Sequence, residues 1–492
     1  MSISQVITDF TTYAIELGGF MEMDRIYVQN RLLGMIGEET LTETNVRAVK
    51  TPAIQLAEQL FKQALINHKV NDTLSEKEQF IAQLMDILTP PPSVVNAFFA
   101  QHYARDKQAA TDYFYTLSKQ NDYIKTEAIA KNIAFETKSK YGKLEITINL
   151  SKPEKDPKQI AKERAVVSGG YPKCLLCMEN EGYLGRVNHP ARSNHRIIRM
   201  NLEGESWGFQ YSPYAYYDEH CIFLSEVHRP MTISRQTFDR LLQIVDVFPH
   251  YFAGSNADLP IVGGSILSHD HYQGGAHEFP MAKASIKEVI SLPLFQNITA
   301  GIVDWPMSVI RLQSQNKQEL VNAAEYILES WKGYTDESVD VFAYTTQPHH
   351  TITPIARKKD GIYELDLVLR DNHTTQEFPE GVYHPHRDIQ HIKKENIGLI
   401  EVMGLAILPP RLKREMEEME RFLLNEPHEL SEIHHAWAQD VKSRHQNVTN
   451  EVVSDIVKAE LGAVFLRVLE DAGVFKDTPE GQAAFLRFTA QL

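Results

Sequence analysis

Two short clusters hold the side chains of this chain that are best suited to chemistry. The first is the pair Cys174-x-x-Cys177, and the second is His269-Asp-His271-Tyr-Gln273, which lies between two Gly-Gly pairs. Thiolates and imidazoles bind zinc, and a neutral imidazole is also a nucleophile near pH 7. An amide N–H can stabilise an anionic oxygen without protonating it. The two clusters therefore indicate metal binding, anion binding or covalent catalysis by histidine.

The histidine cluster follows an apolar run, Leu259–Leu267, which the sequence predicts as a strand. Side chains of a strand alternate between its faces, so His269, His271 and Gln273 are expected on one face and the two residues between them on the other. The flanking glycines lack side chains, so a ligand phosphate could approach the backbone closely. This pattern is typical of an anion site rather than of a hydrophobic core.

The elements that must position these clusters change along the chain. Residues 1 to about 125 have helical periodicity, with a break at Thr89-Pro-Pro-Pro92, and residues beyond Arg411 are predicted helical to the end. Between them, alternation predicts a strand at Leu144–Leu150, followed by a polar connector over residues 151–157.

An order of strand, helix and strand occurs twice in the middle of the chain. The first copy has a strand at Cys221–Leu224, a helix capped by Ser234, and the apolar run before the histidines. The second copy has a strand at Val309–Leu312, a helix over 320–331 and a strand at Val339–Ala343; a hairpin with its turn at Asp360-Gly361 follows. The pattern predicts an internal duplication of one structural unit.

Composition and charge exclude several classes of protein. The 492 residues carry 65 acidic and 50 basic side chains, a formal charge of −15, which disfavours a nucleic-acid-binding surface. The stretch Ile397–Leu408 is too short to span a bilayer, and the N-terminal segment lacks the features of a secretory signal, so neither a membrane nor an export role is expected. Three cysteines cannot form a disulfide framework, and a cytoplasmic location is predicted.

The region Asp258–Gly275 resembles the active-site signature of galactose-1-phosphate uridylyltransferases of class II, the bacterial type, within the histidine-triad-like superfamily. Further segments resemble the same class: Tyr171–Cys177, Ser225–Pro230 and Lys393–Gly404. Class I enzymes share only the outline of this signature. Their motif is His-Pro-His-Gly-Gln, whereas this chain has Asp270 where they have proline and Tyr272 where they have glycine.

This resemblance implies a fold and a domain organisation. The expected class is α+β, with two histidine-triad-like half-barrel antiparallel sheet units, flanking helices, and helical terminal regions. The expected boundaries are 1–140 for the N-terminal helices, 141–300 for the catalytic unit, 301–410 for the related second unit, and 411–492 for the C-terminal helices.

The resemblance also implies the reaction and the role of each cluster. UMP passes from UDP-glucose to galactose 1-phosphate through a uridylyl-histidine, with His271 as nucleophile and Gln273 as a donor to the phosphoryl oxygens. A structural zinc ion is expected on Cys174, Cys177, His228 and His269. The partners are UDP-glucose, UDP-galactose and hexose 1-phosphates; the oligomeric state is left open, with a homodimer as one alternative.

Substrate contacts are expected from Asn188, Arg192 and Arg196 on the nucleotide side and from Lys393 on the hexose phosphate. The literal His384-Pro-His386 is not assigned to catalysis, because no glycine-rich apolar segment precedes it. These two histidines, with His349 and His350, are predicted at the surface, and contact with substrate or a second metal stays open as the alternative.

Three other functions stay open at this point. They are a metal-dependent hydrolase that uses both His269 and His271 as ligands, a related nucleotidyltransferase for another sugar phosphate, and a zinc-stabilised binding protein without turnover.

Overall fold

The computed structural model describes residues 1–151 and 169–492. Within them the α-helices are α1 (Ile3–Glu16), α2 (Arg25–Ile36), α3 (Ala53–Ile66), α4 (Leu74–Ile87), α5 (Pro92–Arg105), α6 (Lys107–Gln120), α7 (Thr126–Ile129), α8 (Arg235–Val247), α9 (Pro280–Lys283), α10 (Lys317–Lys332), α11 (Leu399–Val402), α12 (Arg411–Leu423), α13 (His435–Arg444), α14 (Val453–Ala472) and α15 (Pro479–Thr489). The strands are β1 (Ile133–Ser139), β2 (Gly142–Ile148), β3 (Ile198–Leu202), β4 (Glu205–Tyr211), β5 (Cys221–Ser225), β6 (Phe252–Gly254), β7 (His271–Gly275), β8 (Ile286–Ile290), β9 (Thr299–Val303), β10 (Val309–Ser314), β11 (His350–Lys359), β12 (Ile362–Asp371) and β13 (Leu405–Leu408). Short 3₁₀ helices cover Glu22–Asp24, Met178–Asn180, Glu337–Val339 and Glu432–His434. The predicted α+β class is confirmed.

The chain divides into two compact units. The first comprises Met1–Ala128, the described part of Lys152–Ala215, and Glu219–His228; the second comprises Ile129–Ser151, Tyr216–Asp218 and Arg229–Leu492. Most of the predicted connector over 151–157 lies outside the described residues. The division into four regions made from the sequence stays a prediction.

The first unit begins with the predicted helices. Their apolar stripes form one core that includes Phe10, Leu32, Leu56, Leu60 and Leu84. The Thr89–Pro92 break is confirmed, because α4 ends at Ile87 and α5 begins at Pro92. After the helices, β3, β4 and β5 form an antiparallel meander, with Ile198 opposite Phe209 and Tyr211 opposite Cys221.

In the second unit, seven strands follow the order β7-β6-β11-β12-β10-β9-β8, and each of these neighbouring pairs is antiparallel. The hairpin predicted at Asp360-Gly361 joins β11 to β12, and both turn residues have positive φ, at 50° and 80°. Helix α8 follows Ser234 as predicted, and the backbone N–H of Ser234 donates to Thr237 Oγ1 at 3.1 Å.

The faces of this seven-stranded array differ. Helix α10 packs on one face, where Trp331 stacks on His350 with the ring centroids 3.8 Å apart. Ile355 and Val368 point to the opposite face, where they join a core formed with the segments around Leu399 and α14. Residues i and i+2 of a strand share a face, so the register places His271 and Gln273 with Ile355, away from α10.

A smaller sheet of the second unit has the order β1-β2-β13. β1 and β2 form an antiparallel hairpin, whereas β13 pairs with β2 in parallel, with Leu405 opposite Glu145 and Leu408 opposite Ile148. Among the described residues, helices long and apolar enough to cross a membrane were not found.

Two predicted strands are wrong. Leu259–Leu267 is an irregular segment, because Pro260 lacks a backbone N–H and Ile261 has a left-handed φ of 72°. Val339–Ala343 is not a strand either, because a 3₁₀ helix ends there and Asp340 has a φ of 61°. The strand that carries the histidine cluster begins only at His271, so His269 precedes it.

Candidate active site

The two cysteines lie in a tight turn before a 3₁₀ helix. Their Sγ atoms are 3.4 Å apart, and Cys177 Sγ lies 3.1 Å from His228 Nδ1. Asn180 holds the turn, because its amide donates to the carbonyl oxygens of Cys174 and Cys177 at 2.9 and 2.8 Å. The sequence analysis missed Asn180, although its position three residues after Cys177 suits a side chain that closes the turn.

Burial, together with the hydrogen bond to Cys174, raises the pKa of the Cys177 thiol to about 12. Two thiols this close cannot both ionise without a compensating cation. The pair therefore requires a metal ion if both sulfurs are to act as thiolates.

Four donor atoms are brought together as predicted. One ligand atom from each of Cys174, Cys177, His228 and His269 lies within 4.8 Å of the others, and His269 is 0 % exposed. Two thiols and two imidazoles at this spacing suit a single tetrahedral zinc ion. Among the described residues this group includes neither His271 nor Cys221.

His271 is the first residue of β7 and is 7 % exposed. Its Nδ1–H donates to the carbonyl oxygen of His269 at 2.7 Å. A carbonyl can only accept, so the proton resides on Nδ1 and Nε2 keeps its lone pair. Burial lowers the pKa of His271 to about 4, so the imidazole is neutral at pH 7.

Gln273 lies two residues further along β7 and is half-buried. Its backbone pairs with Gly254 of β6. Tyr272 points to the opposite face, toward Arg240 and Thr237 of α8, and its pKa is raised mainly by burial. The predicted alternation thus holds for His271, Tyr272 and Gln273.

The residue between the two histidines is fixed by arginines. The carboxylate of Asp270 accepts from Arg229 Nε at 3.2 Å, and Arg240 Nη1 lies 3.7 Å from it. The backbone N–H of Asp270 donates to the carbonyl oxygen of Arg229 at 2.8 Å. These contacts were not foreseen from the sequence, because Arg229 and Asp270 are distant along the chain.

The Gly263-Gly264 pair serves the backbone rather than a ligand. A Cβ on Gly263 would lie 2.6 Å from the carbonyl oxygens of Ala257 and Leu259, and one on Gly264 would lie 2.6 Å from Asn256 Nδ2. Both positions need glycine because the segment folds tightly on itself. This finding replaces the expected reason, the approach of a phosphate.

The predicted substrate contacts have different surroundings. Asn188 Oδ1 accepts from Arg186 at 2.7 Å, and the Arg192 guanidinium lies 5.5 Å from the Tyr123 ring centroid. Both side chains are half-buried.

The other two predicted substrate contacts are buried and bonded to protein groups. Arg196 donates to the carbonyl of Pro90 at 2.7 Å and to Asp86 at 2.7 Å. Lys393 donates to Glu401 at 3.0 Å and to the carbonyl of Ile407 at 3.1 Å.

The other histidines are not at the surface as predicted. His349, His350 and His384 are buried, and His386 is half-buried and stacks on Phe378 with the ring centroids 4.5 Å apart. Nδ1 of His384 contacts the carbonyl of Pro385 at 3.2 Å. The surface prediction was wrong because aromatic rings, backbone carbonyls and, at His349, the side chains of Thr345 and Asn372 contact these rings.

Comparison with known proteins gives matches along most of the chain. The family model for the N-terminal domain of galactose-1-phosphate uridyl transferase matches residues 18–230, and that for the C-terminal domain matches residues 244–439. A galactose-1-phosphate uridylyltransferase of Streptococcus pneumoniae is 57% identical over 490 residues, 99% of each chain. One of Streptococcus mutans is 56% identical over 492 residues, 100% of this chain and 99% of that one. The solved structure of yeast Ap4A phosphorylase covers 65% of this chain and 90% of its own, with 13% identity and a TM-score of 0.35.

Proposed function

This chain belongs to the galactose-1-phosphate uridylyltransferase family, and we propose that it carries the transferred uridylyl group on His271. The protein is a UDP-glucose–hexose-1-phosphate uridylyltransferase of galactose metabolism. It transfers UMP from UDP-glucose to galactose 1-phosphate, giving glucose 1-phosphate and UDP-galactose.

One observation carries the assignment of His271: the hydrogen bond from its Nδ1–H to the His269 carbonyl at 2.7 Å. It leaves a neutral Nε2 ready to attack, and no separate base is needed. Nε2 bonds to the α-phosphorus of UDP-glucose while the bond from that phosphorus to the bridging oxygen breaks. Glucose 1-phosphate leaves as a stable anion. An oxygen of the galactose 1-phosphate group then attacks the same phosphorus, releases UDP-galactose and restores His271.

Gln273 has the position and chemistry to stabilise both transfers. It shares a strand face with His271 and is half-buried. Its amide N–H is proposed to donate to a non-bridging α-phosphoryl oxygen as negative charge builds there. Because the two half-reactions pass through similar states at one phosphorus, the same donor serves both.

Trapping the intermediate tests this function. The enzyme is incubated with UDP-glucose labelled either in the uridine or in the β-phosphate, quenched under basic conditions, and digested. We expect the uridine label on the peptide that contains His271 and no retained β-phosphate label. Sugar-phosphate preference is then read from the acceptors that discharge the labelled enzyme.

A matched variant separates the two His-x-His motifs. His386→Ala removes the last histidine of His384-Pro-His386 and should label like wild type, whereas His271→Ala should not label. Hydrolysis of UDP-glucose without any labelled peptide would instead support a metal-dependent hydrolase and contradict the proposal.

The metal is proposed to be one structural zinc ion on Cys174, Cys177, His228 and His269. The support is the set of two thiols and two imidazoles within 4.8 Å, of which Cys177 and His269 are buried. Bound zinc would offset the charge of two thiolates and hold His269, two residues before the nucleophile.

Metal analysis of two cysteine variants tests the zinc proposal. Cys174→Ser should lower zinc content and the thermal midpoint together, because binding to a structural site stabilises the folded state. Cys221→Ala is the control, since Cys221 is buried in β5 outside the donor group. Active wild-type enzyme without zinc would contradict the site.

We propose the remaining properties as follows. Asn188 and Arg192 are proposed to contact the nucleotide, because both are half-buried polar groups. Arg196 and Lys393 stay predictions, since their described bonds are to protein groups. A cytoplasmic location is supported by three free cysteines. A homodimer is proposed as the oligomeric state, and sedimentation tests it.

A further inference from the structure

The peptide group between His269 and Asp270 makes two hydrogen bonds in opposite roles. Its carbonyl oxygen accepts from His271 Nδ1–H at 2.7 Å, and its N–H donates to the carbonyl oxygen of Arg229 at 2.8 Å. A peptide group is planar, so the orientation of its N–H fixes that of its C=O. The contacts that hold Asp270 against Arg229 therefore also fix the direction of the His269 carbonyl, whose oxygen accepts from the His271 ring.

The side chains of Asp270 and Arg229 make a second link between these two residues. The Asp270 side chain is 8 % exposed, and its carboxylate accepts from Arg229 Nε at 3.2 Å, with Arg240 of α8 lying 3.7 Å away. A buried carboxylate is costly without a charged partner, so it resists moving away from Arg229. Main chain and side chain thus hold Asp270 to one residue at two points.

We propose that Asp270 is a positioning residue for uridylyl transfer, which with Arg229 fixes the 269–270 peptide and thereby the tautomer and ring orientation of His271. The inference rests on the proposed role of His271 as nucleophile. Asp270 contacts no reacting atom; it acts only through the peptide group whose carbonyl oxygen accepts the hydrogen bond from His271 Nδ1–H.

The chemical consequence concerns which ring nitrogen carries the proton. With the His269 carbonyl in place, Nδ1 is protonated and Nε2 can attack phosphorus. If the peptide turns, the acceptor is lost, and the ring can shift its proton to Nε2, which is then not nucleophilic. Ring orientation is lost in the same step, because the bond to the carbonyl also limits rotation about the Cβ–Cγ bond.

The primary test is Asp270→Asn, which keeps the backbone N–H and the size but removes the charge. We expect the rate constant for uridylylation to fall about 10- to 100-fold, the range seen when a group that orients a functional histidine is removed. KM for UDP-glucose and zinc content should stay at wild-type values. In ¹⁵N-histidine spectra, the His271 signal should change from the Nδ1–H tautomer to a mixture.

A matched control comes from the second hairpin. Asp366 is a buried carboxylate bonded by Arg311 and Arg357. Asp366→Asn should lower stability yet leave the uridylylation rate constant and the His271 spectrum unchanged at temperatures where it is folded. Equal loss of rate in both variants would overturn the proposal, because the effect would then reflect general loosening.

A second variant keeps the test decisive if Asp270→Asn does not fold. Arg229→Gln removes the side-chain link but keeps the Arg229 carbonyl, and Arg229 is partly exposed. It should show the same fall in rate constant and the same tautomer change. Wild-type rate or a wild-type His271 spectrum in a folded variant at either position would overturn the proposal.

Failure of this inference is distinguishable from failure of the proposed function. If the wild-type enzyme carries its uridine label on His271 and the Asp270 variant labels equally fast, only the positioning role is lost. If wild type carries no label on His271, the nucleophile itself is misassigned.

Discussion

Two segments of the second unit share one order of elements and use it differently. In the first, α8 leads to β6 and β7, whose short strands are joined by residues 255–270; in the second, α10 leads to β11 and β12, ten-residue strands joined by the turn Asp360-Gly361. The long regular hairpin of β11 and β12 serves as a structural framework, whereas the short pair of β6 and β7 carries His271. The proposed chemistry lies where regular pairing ends, because an irregular connection can place backbone carbonyls and side chains that a regular ladder of hydrogen bonds would occupy.

The two segments also differ in the polar side chains that they place on one common face of the sheet. Gln273 pairs with Gly254, Gly254 with Ile355, and Ile355 with Asp366, so these four positions form one row on one face. At one end of the row, Gln273 is half-buried and is proposed to contact the substrate. At the other end, the Asp366 carboxylate is bonded by arginines. Arg311 donates to both of its oxygens, at 2.7 and 2.9 Å.

The largest expected effect comes from the catalytic segment. His271→Ala should reduce turnover by roughly 10⁶, as removal of a covalent nucleophile does. The fold should be kept, since the hydrogen bond that the ring makes within the described part of the chain is to a backbone carbonyl. The measurement is exchange between UDP-glucose and labelled glucose 1-phosphate, with circular dichroism as the check on folding. Substantial exchange in this variant would remove the distinction between the two hairpins.

The framework segment should respond in stability instead. Asp366→Ala removes the fully buried carboxylate that bonds the buried Arg311 and the half-buried Arg357, and breaking such a buried pair costs about 3–5 kcal/mol. The free energy of unfolding in urea should fall by that amount, while turnover of the folded enzyme stays at the wild-type value. A loss of turnover without loss of stability would show that this hairpin has a catalytic part.

Substitution of Gln273 tests the end of this row opposite to Asp366. Gln273→Glu places a negative charge toward the developing oxyanion and should be clearly worse than Gln273→Asn, which keeps a shorter donor. Losing one such donor costs about 2.7–4 kcal/mol, roughly 10²–10³ in rate. Both half-reactions should slow, as measured by rapid quench. Wild-type rates for Gln273→Glu would mean that the amide does not face the phosphoryl group.

The smallest expected effect is a pH dependence of stability in the framework segment. Burial opposes the charged form of His373, but its bond to Asp371 at 2.8 Å and the nearby Asp340 raise its pKa above 6.5 overall. The pKa is raised on folding, so this stabilisation is present below pH 6.5 and is lost as pH rises through the folded pKa.

Urea midpoints measured on both sides of that range check this sign. Wild type should lose more stability than His373→Gln as pH rises. The variant must fold for the comparison, which near-ultraviolet circular dichroism reports. An equal change in both proteins would contradict the assigned role of His373.

Local signals predicted much of this molecule. Ser234 before an amphipathic stretch identified α8, and Asp-Gly between alternating residues identified the hairpin turn, because both depend on neighbouring residues alone. The Leu259–Leu267 prediction failed for a different reason. Its apolar composition is typical of a strand, but Pro260 and the packing around Gly263 prevent pairing.

The family resemblance proposed four metal donors and the nucleophile His271, and the structure brings the ligand atoms of the four proposed donors together. The roles of these residues stay predictions, and the contacts that connect them were not predicted. The contacts of Asp270 with Arg229 and Arg240, and of Asn180 with the cysteine carbonyls, depend on tertiary packing. No periodicity or spacing reports such pairs.

The parallel pairing of β13 with β2 has a consequence for synthesis on the ribosome. The edge of β2 that receives β13 stays open until residue 408 has emerged, some 260 residues after Ile148. At translation speeds of 5–20 residues per second, this delay is roughly 10–50 seconds. During that time the nascent β1–β2 hairpin exposes an unpaired edge and the apolar side chains of Leu144, Ile146 and Ile148. The hairpin is therefore the part of the nascent chain where we expect a chaperone to bind longest.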